Sequence, residues 1–438
     1  MGGIRLQQEA RGRQAETAAK ARITGIPAEV ARVMQLLNAA GKETAAVGGC
    51  VRDRLLKKQP KDWDLATAAR PEETQALLQQ AGYRVIPTGI RYGTVTALTP
   101  GGPVEITTFR LDGAYSDARR PDAVVFTGDL RRDLARRDFT INAMACNMQG
   151  ELLDCFGGQR DLRAGLIRCV GEPDRRFAED ALRMMRALRF AAGLDFTLEA
   201  QTARSLRQNC HRLAMVAPQR LRAELDGLLC GKGAGRVLEQ DAQVLCVLLP
   251  ELKEDAPGGR AYWQALPWLN NLPPQPVLRL AALLHGVQDV SGALARLGYD
   301  NAAKARVALL ASLWGTPPPQ RDAEVRRLLG RMPPEAFFQL ALLKQAEAFS
   351  QQEKEAAAWR GAADLARRVL QEGQCFRLKD LAVKGEDLLA AGVPAGPAVG
   401  RVLHALLKRV IEGELPNEKH ALLQQAARLL TIIEERPD

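Results

Sequence analysis

The chain has 438 residues, of which 46% are hydrophobic, 26% charged and only 5% aromatic. This length is too great for one typical core, so we expect several domains, and the sequence has no apolar run of about 18 residues that could span a membrane. The formal net charge of +10 favours a polyanionic partner but does not by itself identify one.

The N-terminal residues 1–22 alternate Arg, Gln, Ala and Glu without the apolar centre of a secretory signal, and we expect a flexible basic extension there. The eight cysteines of the chain are scattered and include no CxxC pair. This pattern predicts reduced thiols in a cytoplasmic protein, and it is not typical of zinc ligands or of a disulfide framework.

The next part of the chain reads as a small α+β domain that ends near residues 150–165. Apolar residues recur at helical spacing over residues 27–40, and a second helix is predicted over residues 71–81. Short β-like segments lie around that second helix, and two glycines at 101–102 predict a hairpin. The predicted strands are residues 44–47, 63–68, 83–87, 94–98 and 104–109.

Beyond about residue 170 the β signal vanishes. Long segments rich in Ala, Leu and Arg follow with helical spacing, and proline-rich breaks separate them at residues 272–276, 317–319 and 333–334. The remaining two-thirds of the chain is therefore predicted to be an all-helical extension.

A glycine pair in the first domain is the first candidate for phosphate binding. Gly48 and Gly49 follow a predicted strand and open a short helix, with Arg52 one turn later. Glycines let backbone N–H groups approach a phosphate, and a guanidinium offers a fork for its oxygens. Two glycines before a helix are also a common tight turn, so the motif alone leaves both interpretations open.

Asp62 and Asp64 are the second candidate. Residues i and i+2 of a strand point to the same face, so both carboxylates are predicted to project together and hold Mg²⁺ ions that also bind a nucleoside triphosphate. Two metal ions about 4 Å apart can activate an attacking hydroxyl and stabilise a leaving pyrophosphate. A solvated turn is the alternative. Glu105, in a strand whose apolar neighbours face the other way, could join them as a third carboxylate or be an exposed strand glutamate.

The combination of these motifs resembles the nucleotidyltransferase superfamily of polymerase-β type, and more closely the class II transfer-RNA nucleotidyltransferases with their poly(A) polymerase relatives. The resemblance implies a polymerase-β-like head domain with a small mixed sheet, followed by an all-helical neck, body and tail. The segments that carry it are residues 48–53, 62–67, 104–109, 115–121, 136–145 and 179–190. The implied domains are the extension 1–22, the head 23–165, the neck 166–230, the body 231–335 and a tRNA-binding tail 336–438.

The resemblance further implies the template-independent addition of CCA to the 3′ end of tRNA from CTP and ATP. Two Mg²⁺ ions, with Mn²⁺ as the alternative, are the implied cofactors, and the oligomeric state stays open. The implied catalytic residues are Asp62, Asp64 and Glu105, with Asp62 and Asp64 as metal ligands. The implied nucleotide-binding residues are Gly49, Arg52, Arg137, Asp180, Arg183, Arg186 and Arg189, with Asn142 as a weaker candidate.

The role of Asp180 and Arg183 has a chemical explanation. Cytosine and adenine both present an amino donor beside a ring-nitrogen acceptor, which matches a carboxylate beside a guanidinium; uracil and guanine reverse that order. We expect Asp180, Arg183, Arg186 and Arg189 to form one stripe on one helix, since residues three apart are neighbours on its surface. Without the first domain, the same stripe would read as a solvated, salt-bridged face.

Two other segments bear on this activity. Residues 111–130 correspond to a flexible element that the resemblance links to the switch from adding C to adding A, and their full length favours complete CCA addition. Gln219 replaces the first Glu of an ERxxxE segment of the family, for which we expect only a structural consequence.

Three alternatives remain at this stage. A poly(A) polymerase would ignore CTP, and a non-catalytic RNA-binding protein with the same fold would tolerate loss of Asp64. A nucleotidyltransferase acting on a small molecule would not need the long basic helical extension.

Overall fold

The computed structural model describes residues 22–113, 124–256, 258–349 and 353–434. The chain forms two compact units, one of Met1–Gly233 with Asp241–Leu248 and one of Ala234–Gln240 with Leu249–Asp438. The expected extension at residues 1–22 and the centre of the 111–130 element lie outside the described residues, apart from Arg22 and the ends of that element. The finer head, neck, body and tail boundaries stay predictions.

The first unit opens with helix α1 (Ala28–Ala39), which confirms the predicted helix. Its buried residues Val30, Val33, Met34 and Leu37 share one face, as an amphipathic helix requires. Helix α2 (Gly49–Leu55) and helix α3 (Pro71–Gln80) follow between the strands of the sheet.

A seven-stranded mixed sheet forms the centre of this unit, with strand order β3-β4-β5-β2-β1-β8-β9. Strands β2 and β5 run parallel, and the other neighbours are antiparallel. The five predicted strands all occur, within about two residues of the predicted bounds. The strands of this sheet are β1 (Thr44–Val47), β2 (Asp64–Thr67), β3 (Arg84–Gly89), β4 (Thr94–Thr99), β5 (Gly102–Thr108), β8 (Met144–Cys146) and β9 (Leu152–Asp154).

One face of the sheet is packed. Phe109, Leu134 and Ala145 belong to a cluster of buried apolar residues against strands β1 and β2. A two-stranded ladder of β6 (Arg110–Asp112) and β7 (Val124–Phe126) and the short helix α4 (Leu130–Ala135) extend this region.

Helices dominate the remainder of the first unit, but the expectation that β structure ends near residue 170 is wrong in one place. Strand β11 (Thr197–Leu198) pairs in parallel with β10 (Leu166–Ile167). Two residues are too few to give a periodic signal in the sequence. The helices are α5 (Gly158–Ala164), α6 (Pro173–Glu179), α7 (Leu182–Leu194), α8 (Ala200–Asn209), α9 (Pro218–Leu229) and α11 (Ala242–Leu248).

The second unit is helical throughout its described residues, as the sequence predicts. All three proline-rich breaks lie at helix boundaries, and Pro276 and Pro334 are the first residues of their helices, because proline lacks the N–H that a helix interior needs. A cluster that includes Val402, Leu406 and Leu422 forms the core of its C-terminal part. The helices are α10 (Ala234–Gln240), α12 (Gly259–Ala265), α13 (Pro276–Leu284), α14 (Val290–Arg296), α15 (Asn301–Ser312), α16 (Asp322–Arg331), α17 (Pro334–Phe349), α18 (Glu353–Gln371), α19 (Gly385–Ala390), α20 (Pro397–Glu412) and α21 (Lys419–Glu434).

Among the described residues, no helix combines the length and the apolar character needed to cross a bilayer. The cysteines all lie in the described part of the chain, where none forms a disulfide and four are buried: Cys50, Cys146, Cys169 and Cys375.

Candidate active site

A cleft of about 830 Å³ lies in the first unit, where the edges of strands β2, β4 and β5 meet the start of helix α7. Its lining is strongly charged and contains the carboxylates Asp64, Glu105, Asp138 and Asp180. Seven arginines complete the charged lining: Arg91, Arg110, Arg136, Arg137, Arg183, Arg186 and Arg220. An excess of guanidinium groups over carboxylates suits a polyphosphate ligand.

Asp64 and Glu105 face one another across the parallel pair of strands. Asp64 lies in direct register with Glu105, and neighbouring strands run about 4.8 Å apart. Their neighbours Leu65 and Ile106 are both 1% exposed and are buried on the opposite face of the sheet. Alternation along each strand thus directs the two carboxylates to the cleft side.

Asp62 is placed differently from the prediction. Strand β2 begins at Asp64, so the two aspartates do not lie in one strand, and Asp62 is exposed and outside the cleft lining. The strand starts where pairing with β5 starts, which a sequence pattern does not show. Asp62 is nevertheless near enough for its charge to raise the pKa values of both Asp64 and Glu105.

The carboxylates of this edge destabilise one another's charged forms. Burial raises the pKa of Asp64, Asp62 raises it further, and the guanidinium of Arg137 opposes the rise. Burial likewise raises the pKa of Glu105, as do the charges of Asp64 and Asp62, against the opposing effect of Arg110. A cation bound between the carboxylates would relieve this repulsion.

The donor set fits a hard divalent cation, because carboxylate oxygens are the ligands that Mg²⁺ prefers. Within the described ranges, however, no three His, Cys, Asp or Glu side chains are grouped so that they could hold one ion. The protein would therefore supply a pair of carboxylates, and substrate phosphates and water would complete the coordination. Mg²⁺ is commonly bound in this way.

The glycine pair lies beside the cleft. Gly48 has φ 78° and ψ −129°, and a Cβ there would lie 3.0 Å from Nη1 of Arg137. Glycine therefore permits both the backbone turn and the close approach of this cleft arginine. Gly49 begins helix α2 and is outside the cleft lining.

Arg52 is also held outside the lining. Its Nε donates to Asp53 at 2.9 Å and its Nη1 donates to Asn142 at 2.8 Å. Its guanidinium also lies 5.2 Å from the centre of the Phe190 ring. These contacts do not direct Arg52 at a phosphate in this conformation; they tie helix α2 to the segment that carries Arg137.

Arg137 lies in the cleft, as the resemblance implies. Its Nη2 is 3.3 Å from the buried carboxylate of Asp133, which also accepts from Arg136 at 2.8 Å. Burial raises the pKa of Asp133, but its two arginine neighbours outweigh that effect and hold the pKa below its usual range. Asp133 therefore stays ionised and orients both guanidinium groups.

Asp180 does not lie on the helix of the arginines, so the predicted single stripe is wrong at its first member. Helix α6 ends at Glu179, and Asp180 has extended backbone angles of φ −145° and ψ 106°. Its Oδ1 accepts from the backbone N–H of Leu182 at 3.0 Å, at the start of helix α7. Its Oδ2 accepts from Arg220 at 2.8 Å.

Arg183 reaches the same cleft from helix α7, but the side chains of Asp180 and Arg183 do not pair with each other; only the backbone N–H of Arg183 donates to the backbone oxygen of Asp180, at 3.0 Å. Nη1 of Arg183 donates to Glu179 at 2.7 Å, and Nη2 donates to the backbone oxygen of Arg136 at 3.2 Å. The structure therefore brings Asp180 and Arg183 to one cleft and anchors each through a different partner.

Arg186 and Arg189 follow on helix α7 and differ in exposure to the cleft. Arg186 lines it and donates to Oδ2 of Asp138 through Nε at 2.9 Å and Nη2 at 2.7 Å. Burial is the largest single influence on the pKa of Asp138 and raises it, but the charge and hydrogen bonds of Arg186, with the charge of Arg183, together hold the pKa below its usual range. Arg189 is outside the lining; it pairs with Glu224 and lies 4.4 Å from the Phe190 ring centre.

Several residues of the site were missed from the sequence. The sequence predicts no role for Arg220, which contacts Asp180, or for Asp138 and Glu224, which pair with Arg186 and Arg189. The only signal was their place in two motif segments, 136–142 and 216–224. The side chain of Gln219 is exposed and makes no hydrogen bond to another described residue, and the expected structural consequence of its replacing a Glu stays a prediction.

Comparisons with known proteins define the class. The family model "Poly A polymerase head domain" matches residues 44–168, which include the sheet and both of its cleft carboxylates. The model for tRNA nucleotidyltransferase domain 2 matches residues 282–426, and that for an RNA and SrmB-binding site of polymerase A matches residues 195–255. With the charged cleft, these matches define a nucleotidyltransferase.

Whole-chain relatives narrow this class. The chain is 37% identical to the CCA-adding enzyme of Limosilactobacillus fermentum over 93% of this chain and 99% of the relative. It is 36% identical to that of Lactiplantibacillus plantarum, over 92% and 97% of the two chains. The solved structure of the Bacillus stearothermophilus CCA-adding enzyme in complex with CTP is similar, with a TM-score of 0.74 and 31% identity over 93% of this chain and 98% of that one. This protein belongs to the family of CCA-adding enzymes.

Proposed function

We propose that this protein rebuilds the CCA 3′ end of tRNA without a nucleic-acid template, from CTP and ATP, with release of pyrophosphate. The observation that carries the proposal is one cleft that combines a facing carboxylate pair, Asp64 and Glu105, with Asp180 and Arg183. The first pair serves the chemistry, and the second selects the base. A family relationship to CCA-adding enzymes over nearly the whole chain supports the same activity.

In the reaction, the 3′-hydroxyl of the RNA attacks the α-phosphorus of the nucleotide, and pyrophosphate leaves. Asp64 and Glu105, with the charge of nearby Asp62, would hold divalent ions, for which we propose two Mg²⁺ with Mn²⁺ as the alternative. Such ions supply charge neutralisation at the triphosphate and make the attacking hydroxyl more acidic. The cleft arginines, with Arg137 next to Gly48, would bind and orient the phosphate oxygens.

Base selection follows from the hydrogen-bonding groups left over at Asp180 and Arg183. A carboxylate has about four acceptor positions, and Asp180 uses two, for Leu182 and Arg220, so it can still accept from an amino group of cytosine or adenine. Arg183 donates three hydrogen bonds of its possible five to described neighbours and can give another to the ring nitrogen. Uracil or guanine would leave groups unpaired, at about 1–3 kcal/mol each.

The alternatives fit less well. A poly(A) polymerase would not need a site that accepts cytosine. In addition, the relatives that match almost the full chain are CCA-adding enzymes.

We also propose that the enzyme works in the cytoplasm. Its cysteines are scattered along the sequence, and thiols stay reduced in that compartment.

A gel assay tests the proposal. The full-length protein is incubated with tRNA lacking its CCA end and with CTP, ATP or both. We expect two added nucleotides with CTP alone and a third only when ATP is also present. Extension with ATP alone into a long tail would instead identify a poly(A) polymerase. Unchanged activity of Asp64→Ala would contradict the catalytic site.

A further inference from the structure

A second groove lies within the helical unit, between helix α16, helix α20 and the segment 376–379. It has a volume of about 640 Å³. Its floor is apolar: Phe376 and Ile411 are buried, at 9% and 7% exposure, and Leu378 and Leu407 are half-buried. None of the residues of the catalytic cleft lines this groove, because they all belong to the other unit.

Positive charge surrounds the floor. Arg331 of helix α16, Lys379 of the connecting segment and Lys408 of helix α20 are exposed, and none of them pairs with a carboxylate in the part of the chain that the structure describes. Arg327 is different, since it lies 3.0 Å from Glu412 in an ion pair. The three unpaired cations thus come from the three elements that form the groove.

The sequence builds this groove through helical spacing. One face of helix α20 supplies both the floor and the rim, because its groove residues have the spacing i, i+3, i+4 and i+7: His404, Leu407, Lys408 and Ile411. Opposite them, a Cβ at Gly330 would lie 2.8 Å from the backbone oxygen of Phe376. Glycine therefore lets the connecting segment pack directly against helix α16 and close the floor.

The chemistry of the floor restricts the occupant. Sites for single-stranded nucleic acid offer aromatic faces on which bases stack. Among the described residues that line the groove, Phe376 and His404 have the only aromatic rings. The ring of Phe376 is buried, and the Arg377 guanidinium lies 5.0 Å from its centre. The rest of the floor is aliphatic. A single carboxylate at the end of an alkyl chain would leave most of the rim cations unpaired.

We propose that this groove docks an acidic amphipathic helix of a partner protein. Leucine or isoleucine side chains of that helix would enter the floor, and its Asp and Glu residues would pair with Arg331, Lys379 and Lys408. The N-terminal residues 1–21 of this chain do not suit the groove, because they carry four basic and two acidic side chains.

The test uses the full-length protein and a fluorescein-labelled helical peptide of roughly 16 residues, with leucines at positions i, i+3, i+4 and i+7 and glutamates beside them. Fluorescence anisotropy should show saturable binding. The double variant Arg331→Glu/Lys408→Glu should weaken it by about tenfold or more, since it reverses the rim charge. Leu407→Ser should weaken it as well, and so should serine in place of the leucines of the peptide.

A matched control separates the groove from general charge. Arg360→Glu/Arg401→Glu changes the net charge equally at two exposed positions outside the groove and should leave peptide binding within about twofold. The proposal is overturned if no saturable binding occurs, if both double variants weaken the peptide equally, or if Arg331→Glu/Lys408→Glu weakens tRNA binding as much as peptide binding. The last result would make RNA the occupant. An unchanged melting temperature and an unchanged far-ultraviolet circular dichroism spectrum would show that the variant folds.

Discussion

On the sheet side of the catalytic cleft, like charges face one another, whereas on the helical side every acidic group has an arginine partner. Burial is the larger cause of the raised pKa values of Asp64 and Glu105; the charge of Asp62 raises both further, and the charge of Asp64 also raises the pKa of Glu105. Asp180 instead accepts from Arg220, and Asp138 from Arg186. In the proposed mechanism, a divalent cation would balance the carboxylates of the sheet side, while the ion pairs of the helical side would hold Asp180 in place to select a base.

The largest effect is expected at the sheet. Asp64→Asn removes a charge that the metal needs but keeps the size of the side chain, so nucleotide incorporation should fall by about 10³-fold or more while tRNA binding is retained. Single-turnover incorporation and a filter-binding assay check the two parts. Glu72→Gln, at an exposed acid outside the cleft, is the control and should keep full activity. Loss of tRNA binding in Asp64→Asn would point to misfolding instead.

A change on the helical side should alter selection more than rate. Asp180→Ala removes the acceptor for the amino group and also the acceptor that repels uracil, so the preference for CTP over UTP should fall by about 10–100-fold. Ratios of kcat/KM for the four nucleotides measure it. A preference that survives while the rate collapses would assign Asp180 to catalysis.

The ion pair between Asp138 and Arg186 should make the stability of the protein depend on pH. Burial raises the pKa of Asp138, but the charge and hydrogen bonds of Arg186 and the charge of Arg183 together outweigh it, so the folded-state pKa lies below the ordinary value. The carboxylate therefore stabilises the fold above the pKa of the unfolded chain, and this contribution is lost as the pH falls towards the folded-state value. Asp138→Asn should lower the free energy of unfolding by about 1–2 kcal/mol at pH 7.

Urea titrations of Asp138→Asn and of the unchanged protein across pH provide the measurement. The difference in the free energy of unfolding between the two proteins should shrink below about pH 4, where Asp138 takes up a proton in the unfolded chain. A constant difference down to pH 3 would contradict the ion-pair account.

The smallest effect concerns how Asp180 is held. Arg220→Ala frees one oxygen of that carboxylate, so the preference for CTP over UTP should fall by about fivefold, and Arg220→Lys should restore part of it by keeping the charge. The KM for CTP should change more than kcat. Equal losses for all four nucleotides in both variants would indicate a merely structural role.

The sheet was largely predictable and the helical side was not, for a physical reason. Alternation around Glu105 and the helical periodicity of residues 28–39 are local signals, and the structure reproduces both. Neither a glycine nor a proline marks the interruption between helices α6 and α7 at Asp180 in the sequence. It depends on a cap to Leu182 and on an ion pair to Arg220, forty residues further along the chain.

The register of the carboxylates is likewise a long-range property. The sequence suggests that Asp64 and Glu105 could meet, but only the parallel pairing of β2 with β5 places them directly opposite. The same pairing begins strand β2 at Asp64 and therefore leaves Asp62 outside the strand. The hydrogen bond from Arg52 to Asn142 also joins residues far apart in sequence, so no local pattern predicts it.

The central claim, that facing carboxylates gather divalent cations around the nucleotide, is tested most directly by Mn²⁺ binding followed with electron paramagnetic resonance in the presence of a non-reactive CTP analogue. We predict tight, nucleotide-dependent Mn²⁺ binding to the unchanged protein, strongly weakened in Asp64→Asn and in Glu105→Gln. Equal Mn²⁺ binding by all three proteins would contradict the account.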